Sequence, residues 1–265
     1  MDKDFCVIIK FRDDTRLKNN NGGESIMNVC CLLTARGHNT LENKHILMAL
    51  DRPIIYYPAS AGKMAKSASS WYASSDSSEI LSIAGELGYK PIKRPEEISR
   101  PDSQHVDAIT HAMKFINSDL GTPPDILVVM LGNNVSFDSN QIDECVKIMM
   151  DDYDAISAVV PVYEDSDHNP MRAKKMLPNG NLTSFMSNMP ENTSSNRQDL
   201  EKSYFLAHSF WTLNVKRFLS GEEGPGPWKF MGRDVKPYIT ERSIDIHDTF
   251  DLRIAEEWLK ISPVR

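Results

Sequence analysis

Two cations and a cluster of hydrogen-bond donors crowd one short stretch of this chain, TARGHNTLENKH at residues 34–45. Arg36, Gly37, Asn39, Thr40 and Lys44 combine positive charge, side-chain donors and a backbone N–H that a ligand can approach closely. A triphosphate requires that combination, although GxxxxGK[ST] is absent and the same residues also suit a solvated polar turn. In KRPEEISRPDSQHVD, Arg94 and Arg100 lie where a loop returns to a helix, positioned for a base or phosphate or simply for water. The third candidate is IDIHD at 244–248, with Asp245, His247 and Asp248. Two aspartates and a histidine at a strand end could hold a divalent ion. Magnesium prefers oxygen ligands, typically one or two carboxylates plus substrate phosphates. Alternatively, Asp248 or Thr249 caps a helix starting near Phe250. His111 reads as a packed or surface residue, His168 as part of a turn, and Phe210 and Trp211 as core. No GxSxG and no Ser/His/Asp or Cys/His arrangement stands out.

The elements that must position these groups follow from hydrophobic pattern. MNVCCLLT at 27–34 and DILVVML at 125–131 are unbroken apolar runs, and WYASS at 71–75 and AISAVVPVY are further strands. ILMALDRPIIYYPASAGKMA predicts a short hairpin or turn leading into a helix. DSSEILSIAGELG predicts a helix capped by Asp76 or Ser77. HVDAITHAMKFI places Val106, Ile109, Ala112, Met113 and Ile116 on one helical face, SNQIDECVKIMM predicts another helix, and the end of the chain a last one. Such alternation predicts an α/β fold with a mainly parallel sheet covered on both faces. Ligands then bind outside the strands' carboxyl ends, which selects loops 35–45, 74–77, 94–104 and 132–139. Residues 161–205 are turn-rich and break the pattern. DFCVIIKF could form a strand, whereas DDTRLKNNNGGESI after it is polar and not expected to pack, so residues 1–26 read as an N-terminal extension and 27–265 as one domain.

Composition excludes several classes. The 265 residues are 40% hydrophobic and 25% charged, as in ordinary folded proteins, and 30 Lys+Arg against 37 Asp+Glu give a net charge of −7. A net-acidic chain offers no general footprint for nucleic acid or anionic membranes. No stretch reaches the roughly 18 apolar residues of a membrane span. The start lacks a signal-peptide pattern, and Cys6, Cys30, Cys31 and Cys145 form no CxxC pair. Reduced thiols and a cytoplasmic location are expected, with the sequons at Asn134, Asn181 and Asn192 as chance matches.

Taken in chain order, these segments resemble the acylneuraminate (CMP-sialic acid) cytidylyltransferase family. LLTARGHNTLENKHILMALDRPIIYY is similar to that family's opening P-A-R-G-G-S-K-G-x-x-x-K-N, and WYASSDSSEI to its V-S-T-D-S-x-x-I. KRPEEISRPDSQHVDAITHAM resembles R-P-x-E-L with the following D-x-x-x-H-A, NRQDL its R-Q-D element, and IDIHDTFDLRIAEEWL its I-D-I-D-T-x-x-D-L-x-x-A-E. The resemblance covers roughly residues 27–260. It implies a three-layer nucleotidyltransferase fold with a twisted, mainly parallel sheet, and a homodimer built on an arm like residues 160–205. It also implies transfer of CMP from CTP to the anomeric hydroxyl of a nonulosonic, sialic-acid-like sugar acid, with pyrophosphate released. By position, Arg36, Gly37, Asn39, Thr40, Lys44, His45, Ser75, Asp76 and Arg94 would contact the nucleotide. Arg36, Lys44 and Asp245 would be catalytic, Asp245 would bind Mg2+ beside His247 and Asp248, and Gly132, Asn133, Arg197 and Gln198 would meet the sugar.

Four departures qualify what is implied. The opening loop is one residue shorter and lacks a family lysine, and the asparagine that reads cytosine is His45. The family's Q-P-T-S-P-L-R is Gly132-Asn133-Asn134-Val135-Ser136-Phe137-Asp138, and its second metal aspartate is His247. Two alternatives therefore stand beside the first reading. One is a nucleotidyltransferase using GTP or a sugar phosphate acceptor; the other is a nucleotide-binding relative with weak turnover.

Overall fold

The computed structural model describes residues 16–18, 24–190 and 192–262. The expected strand at 4–11 and Cys6 lie outside them. Within the N-terminal stretch, β1 (Arg16–Lys18) pairs antiparallel with β2 (Glu24–Ile26), so part of a segment not expected to pack is a ribbon.

The central sheet begins with β3 (Val29–Thr34), whose six residues are all buried. Such a run needs cover on both faces, and its side chains alternate between two cores. A small ribbon, β4 (Met48–Ala49) with β5 (Arg52–Pro53), leads into α1 (Tyr56–Met64), as the pattern predicted. Then come β6 (Ser70–Ser75), α2 (Ser78–Glu86), β7 (Lys90–Lys93), α3 (His105–Leu120) and β8 (Ile126–Leu131). Strands β7, β6, β3 and β8 lie side by side in that order and all run parallel. The chain leaves β3 toward β6 on one side and returns through β8 on the other. That reversal places a topological switch point between β3 and β8.

After α4 (Ser139–Asp151) follow β9 (Ala158–Glu164), the ribbon β10 (Lys174–Met176) with β11 (Leu182–Ser184), then β12 (Tyr204–Leu206), β13 (Phe210–Asn214) and α5 (Val215–Leu219). β13 runs antiparallel between β8 and β9, and β14 (Val235–Ile239) lies parallel on the far side of β9. α6 (Thr249–Ile261) closes the described chain.

Val29, Cys31 and Leu33 pack with α1, α2 and α4, whereas Cys30 and Leu32 pack with Ile109, Ala112, Met113 and Ile116 of α3. Each fully buried aliphatic side chain contributes about 1.5–3 kcal/mol. On α3, Val106 is only half-buried and Ala108 joins the buried face instead. Gly121 stops the helix in the left-handed region at φ 77°, where a side chain would strain the backbone. A third cluster, including Ile54, Tyr57, Ile246 and Leu259, seats α6 beside the loop after β8. Cys30, Cys31 and Cys145 are free, buried thiols. Between β9 and β12 the described residues form only the ribbon and short turns, which leave Met176, Leu182 and Phe185 more than 60% exposed. Among the described residues no helix is long and apolar enough to cross a membrane.

Candidate active site

Outside the carboxyl ends of β3 and β8 lies a cleft of about 320 Å3. Its lining gathers Arg36, Asn39, Lys44, His45, Arg94, Asn133, Asp245 and His247 from the residues marked by sequence. The loop after β3 ends in a single 3-10 turn at Lys44–Ile46, entered through Asn43 in the left-handed region. This turn buries both Lys44 and His45 at the cleft floor. Burial lowers the Lys44 ammonium from its ordinary range, Asp245 opposing the shift and Arg36 adding to it. The ammonium has no hydrogen-bond partner among the described residues. His45 is held neutral, its pKa pushed down to about 3 by burial and then by Lys44. Its Nδ1 is buried against Gly132 without closing a hydrogen bond.

Arg36 is aimed by its neighbours. Its Nη1 donates to the carbonyls of Arg100 (3.0 Å) and Pro101 (3.3 Å), and its Nε to Asn39 Oδ1 (3.3 Å). Arg94 is buried, donating to Ser74 O (2.8 Å) and Ser74 Oγ (3.2 Å). Burial lowers its pKa to about 10 against the pull of Asp76, so it stays charged at neutral pH. His105, at the start of α3, was missed by sequence reasoning, which weighed only His111 on that helix. Thr34 Oγ1 donates to Met130 O and is 2.9 Å from His105 Nε2, so the imidazole N–H points at the hydroxyl. Burial, followed by Arg94 and Arg36, pushes His105 down to about 4. The position itself carried a signal, since a histidine at the mouth of a helix beside a switch point faces the ligand region. His111 is outside the cleft, as expected.

Other predicted contacts support the loops instead of lining the cleft. The Gly37 N–H, expected to face phosphate, donates to Asp76 Oδ1 at 2.8 Å. Ser75 is buried and accepts from Ser77 N at 3.1 Å, and Thr40 is exposed. Ser77, not Asp76, caps α2. Gly132 is not among the residues lining the cleft, and a Cβ there would sit 3.0 Å from Ala35 Cβ and 3.1 Å from Thr34 O, so this glycine lets the loop cross the end of β3.

The far wall is stitched from segments distant in sequence. Asn133 donates to Asp245 Oδ1 and to Ile246 O, and Asn134 forms a β-bridge with Asp245. Asn134 Nδ2 also donates to Ser243 Oγ at 2.8 Å. His247 Nε2 lies 3.0 Å from the other oxygen of Asp245. Burial raises the Asp245 carboxyl, with His247 and Lys44 the main opposing influences. Asp248 belongs to the helix: its side chain accepts from Phe250 N (2.7 Å) and Asp251 N (3.0 Å) in a capping box. The three residues do not form a metal cage, and no group of three His, Cys, Asp or Glu able to hold a metal occurs among the described residues.

A second cavity of about 300 Å3 shares Asp245 and His247 with the cleft, and its other walls include Tyr163, His208 and Ile254. Arg197 and Gln198, expected at the sugar, line a third cavity that meets the second at Tyr163 and Ser243. There Arg197 pairs with Asp167 at 2.9 Å.

No protein-family model matches the chain. It is 23% identical over 232 residues to the N-acylneuraminate cytidylyltransferase of Escherichia coli O18:K1:H7 (strain RS218 / NMEC), across 86% of this chain and 51% of that protein. The chain thus spans about half the length of the curated relative it matches. Among solved structures, a CMP:2-keto-3-deoxy-manno-octonic acid synthetase complexed with CTP matches with a TM-score of 0.64 at 11% identity, covering 88% of this chain and 99% of that one. The 4-diphosphocytidyl-2C-methyl-D-erythritol synthase of Anaerococcus prevotii gives 0.61 at 11% identity, with 88% and 96% covered. A cytidylyltransferase of Leptospira borgpetersenii gives 0.56 at 15%, with 89% and 87% covered. The chain is thus weakly similar in sequence to an N-acylneuraminate cytidylyltransferase, the family whose motif order it resembles, and shares its fold with solved cytidylyltransferase structures.

Proposed function

We propose that this protein is a magnesium-dependent cytidylyltransferase that transfers CMP from CTP to the anomeric hydroxyl of a nonulosonic, sialic-acid-like sugar acid and releases pyrophosphate. One observation carries the reading: Lys44 is a largely buried residue whose ammonium lines the cleft without a hydrogen-bond partner among the described residues, at a switch point between Arg36 and Arg94. A buried charge left unpaired is costly, and a polyphosphate supplies what it lacks. The acceptor oxygen attacks the α-phosphorus, and the bond from that phosphorus to the bridging oxygen breaks. Pyrophosphate leaves with the electron pair, and the hydroxyl proton passes to solvent. Lys44 and Arg36 stand ready for the charge that builds on the leaving group, and preorganised cations matter most where charge develops. Asp245, a half-buried carboxylate whose pKa burial raises, suits a divalent ion that takes one or two carboxylates plus phosphates. Bound there, magnesium supplies neutralisation of phosphate charge.

His45 occupies the base-reading position with a neutral ring in place of an amide, and this favours GTP as the second nucleotide to test. The exposed Met176, Leu182 and Phe185 suit residues 160–205 to be an arm that pairs two copies. The reading is tested by pyrophosphate release from CTP and from GTP, with N-acetylneuraminate and 2-keto-3-deoxy-manno-octonate as acceptors. Magnesium-dependent release with CTP and either acid is expected. Release with GTP alone would select the second nucleotide, and CTP binding without release would leave a nucleotide-binding relative.

A further inference from the structure

Four cations, Arg36, Lys44, Arg94 and Arg100, line the cleft against a single carboxylate, Asp245, in a chain whose net charge is −7. Two of the guanidinium groups are engaged within the protein: Arg36 by the carbonyls of Arg100 and Pro101 and by Asn39, Arg94 by Ser74. Arg100 is exposed, and its guanidinium has no hydrogen bond or ion pair among the described residues. Lys44 and Arg100 are thus the two cations of the cleft left for a ligand. The backbone of Arg100, by contrast, is fixed. Arg100-Pro101-Asp102-Ser103 is a turn closed by Ser103 N donating to Arg100 O at 3.1 Å, with proline at the second position, where its preset φ suits the turn. Arg100 N donates in return to Ser103 Oγ at 3.0 Å, and Ser103 Oγ donates to Glu97 O at 3.2 Å. Arg100 O takes a second hydrogen bond, at 3.0 Å, from Arg36 Nη1. One turn therefore sets both where Arg36 is held and where the Arg100 side chain begins, which gives the two guanidinium groups to the same end of the cleft.

Resting on the transferase reading above, we propose that Arg100 contacts the β- and γ-phosphates of the nucleotide, taking the place of the lysine that the shortened opening loop lacks. A guanidinium presents paired N–H donors that match phosphate oxygens. An exposed, unpaired side chain on a fixed turn engages an anion with the loss of rotamer freedom alone, surrendering no hydrogen bond within the protein. The cation that the family carries on the loop after β3 is supplied here from the segment that leads into α3. Because the carbonyl of the same residue holds Arg36, the turn places two positive groups toward the outgoing pyrophosphate, where charge builds.

The test is isothermal titration of wild type, Arg100→Ala and Arg100→Lys with CTP and CMP, and with GTP and GMP, in the presence of magnesium and without an acceptor. The monophosphates keep the base, ribose and α-phosphate and lack only the two outer phosphates. In Arg100→Ala the dissociation constant of the triphosphate should rise about ten-fold, the size of one lost charge-assisted hydrogen bond, and that of the monophosphate should stay within about two-fold of wild type. Arg100→Lys should bind the triphosphate within about three-fold of wild type, since an ammonium supplies the same charge. The ligand-free melting temperature should not move in either variant, because the side chain has no partner in the fold. Three results each overturn the proposal and leave the transferase reading intact: triphosphate binding unchanged in Arg100→Ala, mono- and triphosphate weakened by the same factor, or a lysine variant as weak as alanine. If wild type binds none of the four nucleotides, the transferase reading fails and the role of Arg100 fails with it.

Discussion

On the side of the cleft proposed for the nucleotide, each charged group springs from the end of a parallel strand or the turn after it: Arg36 and Lys44 after β3, Arg94 after β7. On the side proposed for the acceptor, Asn133 and Asp245 come from segments distant in sequence, joined by hydrogen bonds and by the packing of Val135 with Ile244 and Ile246. A strand end is fixed by the buried sheet behind it, so its chemistry is set by the loop's own residues. The stitched wall can exchange residues while its hydrogen-bond pattern holds, and it is where this chain departs most from the family motifs. Nucleotide chemistry should therefore depend on individual cations, and acceptor chemistry on a network.

The largest effect is expected at Lys44. Replacing it with Ala should lower kcat/KM by about 10²–10³-fold, the usual cost of losing one preorganised charge at a developing anion, and should abolish the CTP-induced thermal shift. Retention of both would break the contrast. Next is Asp245→Asn. Activity should fall by about two orders of magnitude, while the ligand-free protein at pH 7 melts higher than wild type. The sign follows from burial raising this carboxyl: the folded state disfavours its ionised form, so the acid costs stability once pH exceeds its ordinary value of 3.8. A lower melting temperature would show instead that the Asn133 hydrogen bond outweighs the burial of charge.

Acidification gives a smaller, distributed effect. His45 and His105 are pushed down to about 3 and about 4, so between about pH 6.5 and those values the unfolded chain binds protons that the folded chain refuses. Stability should fall from pH 7 to pH 5. Asp245 acts in the opposite sense, against these two imidazoles and those of His111 and His208, which burial also lowers. A melting temperature that rises over this range would show that the histidines are not held neutral. The smallest change is expected for Asp248→Ala: about 1 kcal/mol lost with the helix cap and an unchanged magnesium requirement. Loss of the magnesium response would return Asp248 to the metal.

The division between the two sides also marks what could be read in advance. Apolar runs such as VCCLLT and ILVVML, too short for helices and alternating with helical patterns, read as strands buried on both faces, with ligand groups expected in the loops at strand ends, so Arg36, Lys44 and Arg94 were legible. β13 was not: FWTLN read as core because nothing local shows an antiparallel insertion between two strands. Asp248 was ambiguous because one aspartate can cap a helix or bind a metal, and only the N–H groups of Phe250 and Asp251 decide. Arg197 and Gln198 were placed at the sugar by motif, but the fold seats them beyond Tyr163 in another cavity. His105 was legible only from its place at the mouth of a helix beside the switch point, since Thr34, its hydrogen-bond partner, lies far away in sequence.

The most direct test of the central claim is a thermal-shift series with CTP, GTP, UTP and ATP, each with and without magnesium. A ligand at 100 times its dissociation constant adds about 2.7 kcal/mol of stability. The account predicts a magnesium-dependent shift of that order with CTP, lost in Lys44→Ala. No shift with any of the four nucleotides would contradict it.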